Sequence, residues 1–483
     1  MLYYRLKRTD SPLHSTKLES QEGAQANDGK QNQGTSFRLR SGLPRQSNPF
    51  QVRSRGGPPL ISQQTDFALT LLFLLMFSGP PRFRIRDGDA SLRGDIDWVV
   101  VLHILVWGLA GAWVLIEIGK HGRVKPLLSR LSLPQKLGAT MTLCLTVSAV
   151  ISKAPALSAF KIYQIAVSLL FMQLFVDRFG PKSCLKKIFW GTALLCGVTA
   201  VCAFLAPGLV WIASDFNTDP SRLMGLLAPT GAVSALAIIL LLTGVRRIWR
   251  VLPLGLLSLF LALLVFSLTR TAYVVVLVFF VLVLIKRPDA KSLKQLAYLV
   301  CAVALTLYVY HWLPNLSEYR NPEAVSSLDD RIGLWRHLTN ITLTQSPWWG
   351  LGYYSSSRIY GPQYNPGLGT AHSMFFEILL GGGALSFALF AALCTLLSVY
   401  AAYLLFKNRD RFSFAVVTLF VASLMLGSMG DEIDSGPVAM CFWYSAAVLP
   451  LMYQESSRRA TNPDESGRAW PMKAVALNEG KVL

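Results

Sequence analysis

The sequence predicts an all-α protein, a polytopic membrane helical bundle with one large loop on its outer side. Hydrophobic residues make up 52% and charged residues only 15% of the 483 residues, and the mean hydropathy is positive, which is typical of multi-spanning membrane proteins. The apolar residues are collected into long runs, and a run of roughly 20 residues crosses about 30 Å of hydrocarbon as a helix. No strand-like alternation accompanies these runs. Helices are therefore expected to satisfy the backbone polar groups inside the bilayer.

About twelve apolar runs are candidates for membrane spans. They occupy residues 64–79, 98–118, 137–152, 160–177, 188–206, 229–244, 251–268, 271–286, 295–312, 375–406, 412–429 and 437–453. Four of them (64–79, 137–152, 229–244 and 271–286) are short for a full crossing, so they tilt little, extend into flanking residues or are half-spans. The run 375–406 is long enough to project beyond the bilayer.

The net charge of +19 does not indicate a nucleic-acid partner, because the basic residues follow the predicted topology. With the N-terminus inside, Lys and Arg cluster in the inner loops, as from Lys120 to Lys136 and from Lys407 to Arg411. This is the positive-inside pattern. It places four loops outside: 79–97, 207–228, 313–374 and 430–436. The first of them departs from the pattern, since it contains Arg82, Arg84, Arg86 and Arg93.

The chain divides into one membrane domain, residues 61–453, and two polar ends. Residues 1–60 are rich in Ser, Gln, Asn, Gly, Arg and Lys, which predicts a disordered cytoplasmic arm that touches anionic lipid. Residues 454–483 are predicted as a cytoplasmic tail. Because the polar arm precedes the first apolar run, no cleavable signal peptide is expected. The 7 cysteines lie in or beside spans and indicate neither a disulfide framework nor a CxxC metal site.

The outer loop 313–374 is the natural place for a site, because the rest of the chain is nearly all membrane helix. A helix is predicted over 328–343, with Ser327 as its cap and with two aspartates in its first turn. Arg331 and Trp335 are four residues apart and share a face of this helix, whereas Arg336 points elsewhere. The residues from 347 to 354 are predicted as a Gly-containing turn rich in aromatic side chains.

Four arginines near the outer side are candidate substrate ligands, and each also has an ordinary structural explanation. Arg270 lies between two apolar spans, where a charge is costly and marks a ligand or pairing role, or extends to the interface. Arg331 follows two aspartates and could form local ion pairs at a solvated helix start. Arg336 is similar and weaker. Arg222 precedes a span and could equally be an interfacial anchor.

His372 is the candidate general base of the loop. It lies at the start of the span 375–406, where the positive end of the helix disfavours the imidazolium and favours a nearby phosphate. The alternative is a helix-entry histidine bonded to a backbone carbonyl. Glu377, one turn further, either orients a donor or hydrogen-bonds within the bundle. No two histidines form a metal-spaced pair with a carboxylate, so no metal site is expected.

The loop aromatics, among them Trp348, Trp349 and Tyr353, have two interpretations. One is an interfacial belt at the membrane surface. The other is a surface on which flat rings pack against the apolar faces of sugars. The sequence does not separate the two.

Taken in order, these residues resemble the O-antigen ligase and O-antigen polymerase superfamily, over roughly residues 200–430. That family has about a dozen spans, a large periplasmic loop before the late spans, and short motifs in a fixed order. The counterparts here are Arg270, Arg331 with Trp335, Pro347 with Gly350 and Gly352, and His372 with Gly383. The chain departs from the family pattern where Asn, Gly, Asn and Ser are replaced by Ser373, Ser386, Thr230 and Thr269, so it resembles a divergent member.

The resemblance implies a metal-independent inverting glycosyltransferase of the bacterial inner membrane, with no cofactor and with its active site facing the periplasm. Arg270 and Arg331 would hold the diphosphate of an undecaprenyl-diphosphate glycan donor, and His372 would take the proton of the acceptor hydroxyl. The implied acceptor is another glycan, lipid A-core or a protein, and membrane lipids are further partners. The candidate substrate-binding residues are Arg222, Arg336, Trp335, Tyr353 and Glu377.

Two other classes of function remain open at this point. A transporter or flippase of lipid-linked or polar substrates would explain the spans and the charges at their ends, and it predicts more intramembrane charges and internal repeats. A non-catalytic scaffold of polysaccharide export is the third possibility.

Overall fold

The computed structural model describes residues 60–79, 98–120, 131–212, 222–243, 252–286, 331–365, 370–408, 410–430 and 432–461. Over these residues the protein is nearly all helical. The helices are α1 (Leu60–Ser78), α2 (Trp98–Lys120), α3 (Leu133–Ile151), α4 (Pro155–Phe179), α5 (Pro181–Leu205), α6 (Pro207–Val210), α7 (Thr230–Thr243), α8 (Leu252–Ser267), α9 (Arg270–Lys286), α10 (Arg331–Gln345), α11 (Ser355–Tyr364), α12 (Met374–Lys407), α13 (Arg411–Ser428) and α14 (Gly436–Thr461).

Six helices in the described part of the chain are long and apolar enough to cross a membrane. They are α2, α4, α5, α12, α13 and the part of α14 from Gly436 to Arg458. Shorter apolar helices, α7 and most of α8, accompany them. The protein is therefore a polytopic helical membrane protein, as predicted. The count of twelve spans and the periplasmic side of the large loop stay predictions, and the predicted span 295–312 lies outside the described residues.

The observed helices extend past several predicted ends. α3 begins at Leu133 rather than 137, and α14 continues to Thr461 rather than ending at 453. The last turns of α14 are polar but still packed, since Ser456 Oγ donates to Asn408 Oδ1 at 2.8 Å and Tyr453 stacks on Tyr400 with ring centroids 4.5 Å apart. Apolar composition marks where a helix enters lipid, and a helix can continue beyond that point in water.

The all-α prediction needs one small addition, a two-residue antiparallel ladder. Strand β1 (Trp211–Ile212) pairs with β2 (Arg222–Leu223), with Trp211 opposite Leu223 and Ile212 opposite Arg222. The ladder continues in a bond from the Met224 amide to the Val210 carbonyl at 3.0 Å. It therefore ties the end of α6 to the segment that leads into α7.

Small residues allow the helices to approach closely, as is common in membrane bundles. A side chain at Gly138 of α3 would lie 2.9 Å from Leu169 and 3.1 Å from Trp443. At Gly111 of α2 it would overlap the Tyr163 phenol, which donates to the Trp107 carbonyl at 2.9 Å. Among the six long apolar helices of the described chain, α14 is the most enclosed, and its residues from Val438 to Leu449 are all buried.

The turns that the topology predicts on the outer side meet at one end of the helices. Gly79, after α1, lies beside Gly436 and Leu227. Ser152 and Ser158, around the start of α4, both bond to Ser355 Oγ, at 2.7 and 2.6 Å. The predicted outer segments are thus assembled on one another, although they are far apart in the sequence.

Residues from predicted inner loops meet at the other helix ends. Arg178 Nε lies 2.8 Å from Asp66 Oδ1, and the Lys187 ammonium donates to Thr70 Oγ1 at 2.7 Å. Lys286 donates to the carbonyls of Leu405 and Asn408 and so caps the C-terminal end of α12, where a cation is favoured by the helix dipole.

Candidate functional site

Helix α10 lies against the start of α12 and brings Trp335 next to the turn that contains His372. The Trp335 indole donates to the Ala371 carbonyl at 2.7 Å, and its ring stacks on Phe376 with centroids 4.5 Å apart. Leu334 and Leu338, on the same side of α10, are buried against Leu380. The predicted loop helix is confirmed over Arg331–Gln345, so it ends at 345 rather than 343; its predicted start at 328 and its predicted cap, Ser327, lie outside the described residues.

His372 lies in a tight turn just before α12 begins. Its backbone has φ +51°, a left-handed conformation that is uncommon for a residue other than glycine. Its Nδ1 lies 3.2 Å from Thr370 Oγ1. The imidazole is partly exposed, so it can meet a substrate while the turn holds it.

Glu377 holds the His372 turn in place through two hydrogen bonds. One carboxylate oxygen accepts the Ala371 amide at 2.7 Å, and the other accepts the Ser357 hydroxyl at 3.0 Å. The side chain is fully buried. Both carboxylate oxygens are therefore used inside the protein, which favours the predicted hydrogen bonding within the bundle over contact with a donor.

Arg331 begins α10 and reaches the end of another helix. Its Nη1 donates to the Met429 carbonyl at 2.5 Å, just past the C-terminal end of α13. It lies about 6 Å along the helix from Trp335, which bonds beside His372. Arg331 thus lies near the His372 turn and near the acidic turn that contains Glu432 and Asp434 and precedes α14. Arg336 is exposed on another face of α10.

Arg270 and Arg222 belong to a second group of outer residues. Arg270 is the exposed first residue of α9, and Arg222 is half-buried in the β-ladder. The chain around them is close-packed, since a side chain at Gly231 would lie 2.5 Å from Thr269. In the part of the chain that the structure describes, no hydrogen bond joins Arg270 or Arg222 to His372, so their shared role with Arg331 stays a prediction.

An ion-pair cluster that the sequence did not predict lies beside Tyr354, the residue that precedes α11. The Lys161 ammonium of α4 is 2.6 Å from Asp434 Oδ2 and 3.3 Å from Glu432 Oε2, and it lies 4.1 Å from the centre of the Tyr354 ring. Arg358 Nη2 donates to the Tyr354 hydroxyl at 2.6 Å. The acidic character of the turn was visible in the sequence, but its partner is 273 positions away.

Burial dominates the electrostatics of this region outside the spans. It raises the pKa of Glu432 above the usual range of a carboxyl, against the opposing effect of Lys161, while Asp434 and Glu377 add to the rise. It also raises the pKa of Tyr353 well above its usual range. Tyr353 is fully buried, so its ring is not open to a sugar in this structure.

The turn at Pro347–Gly352 docks into a break in α12. Gly383 has φ +65° and ψ −166° inside the helix, and helix carbonyls before the break accept bonds from the turn: the Leu351 amide donates to the Leu380 carbonyl at 2.8 Å and the Gly352 amide to the Gly381 carbonyl at 3.1 Å. A side chain at Gly350 would lie 2.5 Å from the Gly381 carbonyl carbon. The motif glycines are therefore required by contact between two backbones.

Among the described residues, no three His, Cys, Asp or Glu side chains converge as metal ligands would. The positive charges at the site come from side chains, namely Arg331, Lys161 and Arg358. Forked guanidinium donors suit oxyanions such as phosphates.

Comparison with known proteins identifies the segment that contains most of these residues. Residues 255–391 match the O-antigen ligase family model, and no curated protein matches the sequence. A solved structure described as "Structural coordination of polymerization and crosslinking by a peptidoglycan synthase complex" is similar over 68% of this chain and 98% of that chain, with 17% identity and a TM-score of 0.37; a similarity this low supports no argument. The segment 255–391, which includes Arg270, Arg331, Trp335 and His372, is thus similar to the O-antigen ligase family.

Proposed function

We propose that this protein is a membrane glycosyltransferase of the ligase or polymerase type. It moves a glycan from an undecaprenyl-diphosphate donor to an acceptor hydroxyl at the periplasmic face of the bacterial inner membrane. The observation that carries the proposal is the bond from Trp335 to Ala371 at 2.7 Å, because it joins the helix of Arg331 to the turn of His372. A cation for a leaving diphosphate and a base for an acceptor are thereby kept on neighbouring elements.

His372 acts in this mechanism as the general base. The acceptor oxygen attacks the anomeric carbon, the bond from that carbon to the diphosphate oxygen breaks, and the acceptor proton passes to the imidazole. A single displacement of this kind inverts the configuration at the anomeric carbon. The turn that holds His372 is built by buried bonds of Glu377, so the imidazole is placed before the substrate arrives.

Arg331 supplies charge to the leaving group. Its guanidinium has several donors in a planar fork, and Nη1 donates to the Met429 carbonyl; such a fork suits a diphosphate. Donors that are already in place stabilise the developing charge most effectively. Arg270 is assigned the same role on the evidence of the family motif, and Arg222, Arg336 and Trp335 line the approach of the substrate.

The test is transfer in vitro by the purified protein. It is mixed with an undecaprenyl-diphosphate glycan, with and without a lipid A-core acceptor. Transfer to lipid A-core indicates a ligase, and longer lipid-linked chains without it indicate a polymerase. His372→Ala should lower the transfer rate on the order of 10²–10⁴-fold.

The matched control is His337→Ala, which removes a histidine of α10 that packs against Tyr364 and should leave transfer intact. Wild-type transfer by His372→Ala would remove the assigned base. If the folded wild type forms no product either with or without lipid A-core, the transporter would instead be favoured.

A further inference from the structure

The buried ion-pair cluster of Lys161, Glu432 and Asp434 contains three charged side chains, of which Asp434 is fully buried and Lys161 is only 12% exposed. Burying such a pair costs desolvation that the attraction between the charges often fails to offset, so stability alone is a weak reason for it. Lys161 lies at the end of the predicted span 160–177, and ionisable residues in membrane segments are functional candidates. The contacts of the cluster lead to two segments of the site.

One branch leads from Lys161 to Arg331. Asp434 is fixed by Lys161, and its backbone carbonyl accepts the Ser168 hydroxyl at 3.0 Å. The preceding carbonyl, of Ile433, accepts the Trp443 indole at 2.9 Å. The same turn begins at Met429, whose carbonyl accepts Arg331 at 2.5 Å. Arg331 and Lys161 thus bond at the two ends of the short connection between α13 and α14, Arg331 at Met429 and Lys161 at Glu432 and Asp434.

The other branch leads from Lys161 to His372. The Lys161 ammonium lies over the ring of Tyr354, a residue with the left-handed φ of +66° that directly precedes α11. Ser357, in the first turn of α11, donates to Glu377. Glu377 accepts the Ala371 amide next to His372. Each step in this branch is a direct contact or a short covalent connection.

We propose that Lys161, with Glu432 and Asp434, is the positioning element that holds the Arg331 turn and the His372 turn in one arrangement. Lys161 touches no reacting atom in this arrangement. It acts through Tyr354 and the acidic turn, and a single side chain from α4 thereby links the two halves of the site. The consequence for catalysis rests on the proposed function, whereas the mechanical link between the two turns does not.

The test uses the double variant Lys161→Met with Asp434→Asn. It removes the charges of the closest pair in the cluster, at 2.6 Å, and keeps similar side-chain volumes. Replacing both partners of a buried pair is often neutral for stability, so this variant should remain folded. Its kcat for glycan transfer should fall about tenfold to a hundredfold with an unchanged donor KM, since a misplacement near 1 Å has effects of this size. Deuterium uptake by residues 370–377 should become about tenfold faster, as expected for a turn that opens more often.

The matched control is Arg178→Met with Asp66→Asn, which removes an ion pair of 2.8 Å from the other helix ends. It should leave both transfer and uptake at 370–377 unchanged. If the Lys161 double variant does not fold, Glu432→Gln replaces it, because this side chain is partly exposed and the amide has the same shape. The same two changes are then expected.

Three results separate the possible failures. A folded cluster variant with wild-type uptake at 370–377 would overturn the link between the two turns. Faster uptake with wild-type transfer would overturn the role of the cluster in positioning the site. If wild type transfers no glycan while uptake still responds to the cluster, the proposed function fails and the link between the turns survives.

Discussion

At the scale of single residues, Arg331 has two tasks that Lys cannot perform together. Its guanidinium donates to the Met429 carbonyl, and in the proposed mechanism it also engages the diphosphate. An ammonium is a point charge without a planar fork. Arg331→Lys should therefore raise the donor KM or lower kcat by about tenfold, the equivalent of 1.4 kcal/mol. Steady-state transfer kinetics measure this, with Arg411→Lys at the exposed start of α13 as the control; equal kinetics for both variants would contradict the assignment.

Glu377 offers a sharper residue-level contrast between charge and hydrogen bonding. Its oxygens accept from the Ala371 amide and the Ser357 hydroxyl. Gln can keep the first bond and can donate to the hydroxyl in the second, whereas Ala loses both. We expect Glu377→Gln to retain most of the transfer and Glu377→Ala to lose about tenfold or more, because the His372 turn is released. If Gln is as damaging as Ala, the carboxylate charge itself acts on the substrate.

The sequence predicted residue pairs that are close along one helix, but not the pairs between distant segments. Arg331 and Trp335 share a face of α10 because helical periodicity requires it. The partners of Lys161 follow only from the packing of α4 against the turn before α14, and neither hydropathy nor spacing contains that information. Tyr353 looked like a sugar platform from its aromatic neighbours, yet its own side chain is fully buried.

At the scale of elements, the break in α12 is the feature on which the loop depends. The backbones of Trp348 and Gly383 are so close that a side chain at Gly383 would lie 2.4 Å from the Trp348 carbonyl carbon, at a φ of +65°. Gly383→Ala should therefore lower the stability by about 2 kcal/mol or more, from strain and overpacking together. The midpoint of thermal unfolding in detergent measures the loss.

The matched control for this substitution is Gly197→Ala. Gly197 lies inside α5 with open space around it, so alanine should be neutral or stabilise the helix by about 0.5–1 kcal/mol. A stable Gly383→Ala variant with intact transfer would mean that the loop does not need this docking.

Elements with a strong apolar signal were predicted well, and those held by tertiary contacts were not. Most of the long spans lie within a few residues of their predicted positions, whereas α5 begins at Pro181 rather than 188 and α14 continues to Thr461 rather than 453. Helix α11 was missed because Ser-Ser-Ser followed by an internal Pro362 is a poor helix sequence; it is held instead by the bonds from Ser355 to Ser152 and Ser158. The break at Gly383 is hidden inside a continuous apolar run.

At the scale of the whole molecule, the length of α12 places the site relative to the membrane. The helix has 34 residues, which is about 51 Å and well beyond the roughly 30 Å of hydrocarbon. The part from Gly383 to Lys407 alone is about 36 Å long and suffices to cross. We therefore expect the nine residues from Met374 to Gly382, about 13 Å of helix, to lie outside the hydrocarbon together with His372.

Trp348 and Trp349 lie at the level of this break. We expect them to lie at the outer boundary of the hydrocarbon. The Trp348 side chain is 67% and the Trp349 side chain 42% exposed, although their turn is bonded to α12 next to the exposed Leu385. Indole rings favour the interface between headgroups and acyl chains. Of the two interpretations of these aromatics, the interfacial belt therefore fits their position better than a sugar platform.

Quenching of tryptophan fluorescence by brominated lipids tests this placement in reconstituted protein. Replacing Trp348 and Trp349 together by Phe should remove a lipid-quenched part of the emission, because both rings face acyl chains near the headgroups. Trp335→Phe should leave the lipid-quenched part unchanged, because this indole is stacked on Phe376 above the break. The reverse pattern would put the His372 turn inside the hydrocarbon, where a general base and a diphosphate would both lack water. The expected pattern keeps the carrier lipid in the bilayer and lets its diphosphate rise to Arg331, so that the transfer takes place just outside the membrane.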